Sequence, residues 1–180
     1  MNEQFRVAQK LGLMFRPETR LPGDTKSWAV SQLKAKSPAL GISQIGTKVK
    51  SWPPSLQPDL MTRDTMFANW FQRQKIGDAS NASNAERNAN RKENLMDEKD
   101  ELKFSHRNVY GRDQVRLRFT AFWANHFTTG NTHDNRNHIG HAIDEAILAN
   151  LNGDFSHMLY KMTSHPSMLI YLDNIFSAGP

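Results

Sequence analysis

The sequence predicts a mostly α-helical fold, an irregular multi-helix bundle with long loops in its N-terminal third. Three observations point there. Apolar residues recur three and four apart, sustained period-two alternation is absent, and β-branched residues are sparse. Phe5, Ala8 and Leu11 mark a short first helix, loosened by Gly12 and closed by Pro17. Pro22-Gly23-Asp24 is a turn signal, and Thr25 or Ser27 is the expected N-cap of a helix holding Trp28, Ala29 and Leu33. Residues 37–60 carry Pro38, Gly41, Gly46, Pro53, Pro54 and Pro58, which predict an irregular connection. Thr62 is the expected cap of a helix with Met66, Phe67, Trp70 and Phe71 on one stripe.

Composition changes abruptly after that stripe. Residues 77–101 are rich in Asn, Ala, Ser and charge, with Leu95 and Met96 the sizeable apolar residues. A stretch this polar buries too little surface to offset its ordering entropy, so it reads as a connection over 77–90 and a solvated helix over about 91–108. Asp113 then precedes a helix with Val115, Phe119, Phe122, Trp123 and His126 on one side, followed by a polar loop at 128–135. Ile143, Ile147 and Leu151 give a further pattern stopped by Gly153. Asp154 opens a helix with Phe155, Met158, Leu159 and Met162, and Pro166 suits the first position of the last helix, which holds Met168, Leu169, Tyr171 and Leu172. The organisation read from this is a helical part at 1–76, a polar insertion at 77–108 and a second helical part at 109–180.

The 180 residues hold no cysteine, which excludes disulfides, thiolate nucleophiles and cysteine-ligated metals. Mean hydropathy is −0.67 and no apolar run approaches the roughly 18 residues of a membrane span. Glu3 and Gln4 stand where a signal peptide would be basic, so a cytoplasmic location is expected. The net charge of +5 invites a nucleic-acid reading, but its distribution argues against one. Residues 1–63 carry ten Lys and Arg against four acids, spread singly, without a basic block or interleaved aromatics. A solvated basic face is the expectation.

All seven histidines lie at or beyond position 106, six of them between His126 and His165. His138 and His141 share a helical face, and with His133 and Asp134 on the preceding loop they form a candidate set for a divalent metal. Neutral imidazoles with one carboxylate suit zinc, iron or nickel, and a vacant position would activate water. Asp144-Glu145 reads as a solvated helix face, Asp173 as a structural cap or hydrogen-bonded acid, and His126 as a core histidine. Phosphate-loop, dinucleotide and nucleophile-elbow motifs are absent.

Two stretches, LRFTAFWANHF at 117–127 and GDFSHMLYKMTSHPSMLIYLDNIFSAGP at 153–180, resemble the large bacterial family catalogued as domain of unknown function 1800. The opening LGLMFRPETRLPGDTKSWAVSQL is similar to that family's usual start. The resemblance implies a site built on His126, His165 and Asp173, with Asn125 and Asn174 orienting ligands. Within it, the imidazole of His126 and the carboxylate of Asp173 are expected to converge on one interior spot. It also implies work at the cell envelope beside a sulfatase-like partner protein. Typical members continue past the YLDN segment, so a truncated chain and self-association through an uncovered Met168–Leu172 stripe are expected. Two functions stay open: a metal-assisted hydrolase of envelope or polysaccharide substrates, and a non-catalytic helical binding or assembly subunit.

Overall fold

The computed structural model describes residues 3–11, 23–34, 42–45, 48–52, 56–77, 83, 96–111, 113–132, 135–175 and 177. Helices dominate these residues. In chain order they are α1 (Glu3–Leu11), α2 (Thr25–Lys34), α3 (Leu60–Gly77), α4 (Met96–Tyr110), α5 (Gln114–His126), α6 (Ile139–Ala142), α7 (Phe155–Thr163) and α8 (Pro166–Tyr171). α6 runs without a break into a π-helical segment, Ile143–Leu148.

The caps of α2 and α3 lie one to three residues earlier than the sequence suggests. Asp24, not Thr25 or Ser27, caps α2, its Oδ1 accepting from the amides of Lys26 and Ser27 at 3.0 Å. Asp59 likewise caps α3 through the Thr62 amide at 2.8 Å. A short carboxylate satisfies the orphan amides of the first turn as well as a hydroxyl does, and its charge favours the helix N-terminus. Between these helices the chain is more regular than its prolines and glycines suggest. Strands β1 (Ile42–Ile45) and β2 (Lys48–Ser51) pair antiparallel, with Ile45 opposite Lys48.

The core lies in the C-terminal half. Phe127, Ala142, Ala146, Ile147, Met158, Met162 and Met168 bury one another, with Trp123, Ala124 and Ile143 against them. The Met158–Met162 spacing puts both thioethers on the inner face of α7, each contributing about 1.5–3 kcal/mol of burial. α5 packs on the π segment, and α2 packs on α5, where Gln32 accepts from the Val115 amide and the Leu33 carbonyl from Arg116.

α4 departs most from its sequence reading. It spans Met96–Tyr110 and is polar as expected, but it is not a solvated helix. Asp100, Lys103 and Arg107 are buried, because their spacing of three and four sets them on one face turned toward charged partners. Arg63 of α3, 1% exposed, forks onto both carboxylate oxygens of Asp100 at 2.6 and 3.0 Å. Lys103 Nζ and Arg107 Nη1 reach Asp144 at 2.5 and 2.9 Å. Asp144 therefore does not belong to a solvated face. It is buried, and the two cations hold its carboxyl below the usual range despite the opposing effect of burial.

Two glycines let the helices close on this network. A side chain at Gly140 would overlap Asp100, so α6 approaches α4 through bare backbone. At Gly111 a Cβ would stand 2.5 Å from the Arg107 carbonyl, which accepts the Gly111 amide that ends α4.

Candidate functional site

The most concentrated ligand chemistry sits where α6, the π segment and the start of α8 meet. His141 and Glu145 are four residues apart, and Glu145 Oε2 lies 3.2 Å from His141 Nδ1. The intervening turn is π-helical, a distortion that recurs at functional sites. His165 comes from the other side as the N-cap of α8, with Pro166 at the first helical position as the sequence predicts. Its Nε2 lies 3.1 Å from His141 Nδ1. One donor atom from each of His141, Glu145 and His165 falls within 4.8 Å of the others. Two imidazoles and a carboxylate at that spacing fit a divalent zinc or iron centre.

The electrostatics keep the imidazoles neutral, the form in which they can ligate. Burial, reinforced by the charge that His141 and His138 would carry if protonated and by the positive charge of Arg63, pushes the His165 pKa down to about 3. His141 is lowered by burial and Arg63, against the opposing pull of Glu145. Glu145 also stands 3.9 Å from Lys161 Nζ.

Hydrogen bonding fixes which nitrogen carries each proton. His165 Nδ1 accepts from the Ser167 amide at 3.1 Å, so in the neutral ring the proton is on Nε2. That Nε2–H then donates to His141 Nδ1. Glu145 is left facing the lone pair of the same atom, an arrangement that a cation between them would relieve.

The residues named from the sequence are distributed unevenly about this centre. His165 is buried within it and His141 shares it. His138 turns away: its Nε2 lies 2.8 Å from Asp64 Oδ1, and burial, opposed by that bond, lowers its pKa. His133 and Asp134 lie outside the described residues.

His126 is exposed at the end of α5, its ring stacked on Phe122 at 6.3 Å and edge-on to Trp123 at 5.5 Å. The last turn of α5 faces solvent on this side, which is why the ring is not in the core. Asn125 is exposed beside it, its carbonyl accepting from the Thr128 hydroxyl. Asp173 is exposed with φ of 55°. Its amide donates to the Ile170 carbonyl at 3.0 Å and the Asn174 amide to Leu169 at 2.8 Å, the paired bonds of a left-handed helix stop. Asp173 thus ends α8 through its backbone, and Asn174, also exposed, completes the stop. His126 and Asp173 both face solvent and do not share the buried position of His165.

Glu145 is the candidate ligand that sequence reasoning passed over. Its signal was the His141-x-x-x-Glu145 spacing, obscured by reading the acidic pair as solvated.

The family described as "Protein of unknown function (DUF1800)" matches residues 12–180. The chain belongs to that family. No curated protein and no solved structure matches it. The ordered motifs that carry the resemblance, FWANHF and HPSMLIYLDN, lie inside the matched span and frame the His141–Glu145–His165 centre: one ends α5, the other supplies His165 and α8. Among the described residues of this DUF1800 chain, no helix is long and apolar enough to cross a membrane.

Proposed function

We propose that this chain is a metal-assisted hydrolase whose divalent ion is held by His141, Glu145 and His165. The observation that carries the reading is the convergence of those three donor atoms within 4.8 Å. A three-ligand centre leaves a position for water, whose pKa the ion lowers toward neutrality. Glu145 supplies the anionic ligand and His141 a neutral nitrogen. Coordination through His165 Nε2 requires that ring to move its proton to Nδ1, which releases the Ser167 amide from its cap. The exposed motif residues His126, Asn125, Asp173 and Asn174 are assigned to contacts with substrate. An envelope or polysaccharide substrate rests on the family resemblance.

A second reading is a non-catalytic helical binding or assembly subunit, with a sulfatase-like protein as its partner. One observation favours it: the Ser167 amide at Nδ1 and His141 at Nε2 already satisfy both ring nitrogens of His165 without an ion. Hydrolysis of 4-nitrophenyl ester, phosphate and glycoside probes, with and without added zinc, separates the two. Zinc-dependent turnover lost in Glu145→Gln supports the hydrolase. Metal-free protein, silent on every probe and with the Ser167 amide unmoved by zinc, supports the subunit.

A further inference from the structure

His138, which turns from the His141–Glu145–His165 centre to meet Asp64, lies on the wall of a separate hollow. Asp64, Phe67 and Phe71 follow one another at spacings of three and four, which sets them on one face of α3. That face, with His138 and with Pro166 and Ile170 of α8, lines a groove of about 300 Å³, the lower end of the range for small-ligand sites. Phe67 and Phe71 are half-buried, their rings 6.2 Å apart and 27° from parallel, and Phe67 stands edge-on to His138 at 5.6 Å. Apart from the Asp64–His138 pair, the wall is apolar.

The charge of the groove is that of Asp64. His138 is 1% exposed, and burial keeps its ring neutral. Its Nε2–H therefore donates to Asp64 Oδ1 at 2.8 Å without cancelling the carboxylate. Arg63, next in the chain, is buried and spent on Asp100, so it does not offset Asp64. No other charged side chain among the described residues lines the groove. The Asp64 side chain is 51% exposed, which leaves its charge open to a solute. An accessible anion beside two aromatic rings and aliphatic walls is the complement of an organic cation: the carboxylate pairs with the charge and the ring quadrupoles attract it.

We propose that this groove binds a small primary ammonium ion with an apolar body, its head on Asp64 and its hydrocarbon along Phe71 and Ile170. His138 takes Oδ1 of the carboxylate, and Oδ2 is the oxygen left for an ammonium N–H. The assignment needs no ion at His141, Glu145 and His165 and stands apart from the hydrolase reading.

The test is calorimetric titration of the full chain with butylammonium chloride at pH 7 and constant ionic strength, with thermal melts alongside. Ammonium chloride, butan-1-ol and sodium butyrate are the comparison arms, which lack the hydrocarbon, the charge and the positive sign in turn. Butylammonium should bind saturably, raise Tm and bind at least tenfold more tightly than any of the three. Asp64→Asn keeps an oxygen for the His138 Nε2–H but removes the charge, and should weaken binding at least tenfold. Phe71→Leu removes one ring and should weaken it roughly two- to fivefold. Absent saturation, an equal response to butanol or butyrate, or wild-type affinity in Asp64→Asn would each overturn the proposal. So would a dimer that Asp64→Asn dissolves while butylammonium stays silent, since the groove would then belong to a cationic side chain of a second copy. If Asp64→Asn does not fold, Ile170→Phe decides: narrowing the groove should abolish the response, and its survival would refute the assignment.

Discussion

Acidifying the chelator-treated protein from pH 7 to pH 5 should cost about 2 kcal/mol of stability through His165 alone, and His165→Asn should remove that part of the loss. The magnitude follows from burial. In the folded chain the ring resists protonation until about pH 3, whereas the unfolded chain takes the proton near the ordinary 6.5. Between those values the unfolded state binds more protons, so stability rises with pH across the window. The contribution is complete above pH 6.5 and is lost as pH falls below it. At pH 5 the linkage amounts to about 2 kcal/mol, or roughly 4–8 °C in Tm for a chain of this size. Asn is the informative replacement, because its side-chain oxygen can still accept from the Ser167 amide as an N-cap. His141 and His138 are shifted in the same direction, so a shallower slope should persist in the variant. Urea melts of both proteins at half-unit pH steps provide the assay. Parallel stability curves for wild type and His165→Asn would show that His165 titrates normally and that the buried, capped imidazole is misread.

Two further perturbations test the frame around the site. Gly140→Ala should force Asp100 off Arg63, and breaking that buried pair should cost about 3–5 kcal/mol in a thermal or urea melt; a change under about 1 kcal/mol would contradict the close approach of α4 and α6. Asp173→Gly should raise Tm by about 2–4 °C, since glycine takes the left-handed helix stop without the roughly 1 kcal/mol strain of a side chain. A fall in Tm would mean that the carboxylate itself holds the turn.

What the sequence made legible was periodic. The α5, α7 and α8 helices, the Pro166 start and the polar character of α4 all follow from spacings within one element. The stripes held only in part: Val115, Met158, Met162 and Met168 are buried, whereas Phe119, Phe122, His126, Phe155, Leu159, Tyr171 and Leu172 are exposed. The buried ion pairs were not legible, because Arg63, Asp100 and Asp144 lie 37 or more residues from one another and nothing local links them. The same limit hid Glu145. An acid on a helix face reads as solvated until another element, here the start of α8, comes to lie against it. The histidine excess correctly drew attention to the 126–165 region, but spacing alone could not tell that His138 would turn to Asp64 while His141 turned to His165. Asp173 was visible as punctuation after an apolar run. Its left-handed backbone was not, since Asp tolerates that conformation without announcing it.

Calorimetric titration of the chelator-stripped chain with zinc bears most directly on the His141–Glu145–His165 centre. One ion per chain is predicted, bound at least tenfold more weakly by His141→Ala and by Glu145→Gln and unchanged in His126→Ala. No binding by the folded wild type, or affinity untouched by the first two substitutions, would contradict it.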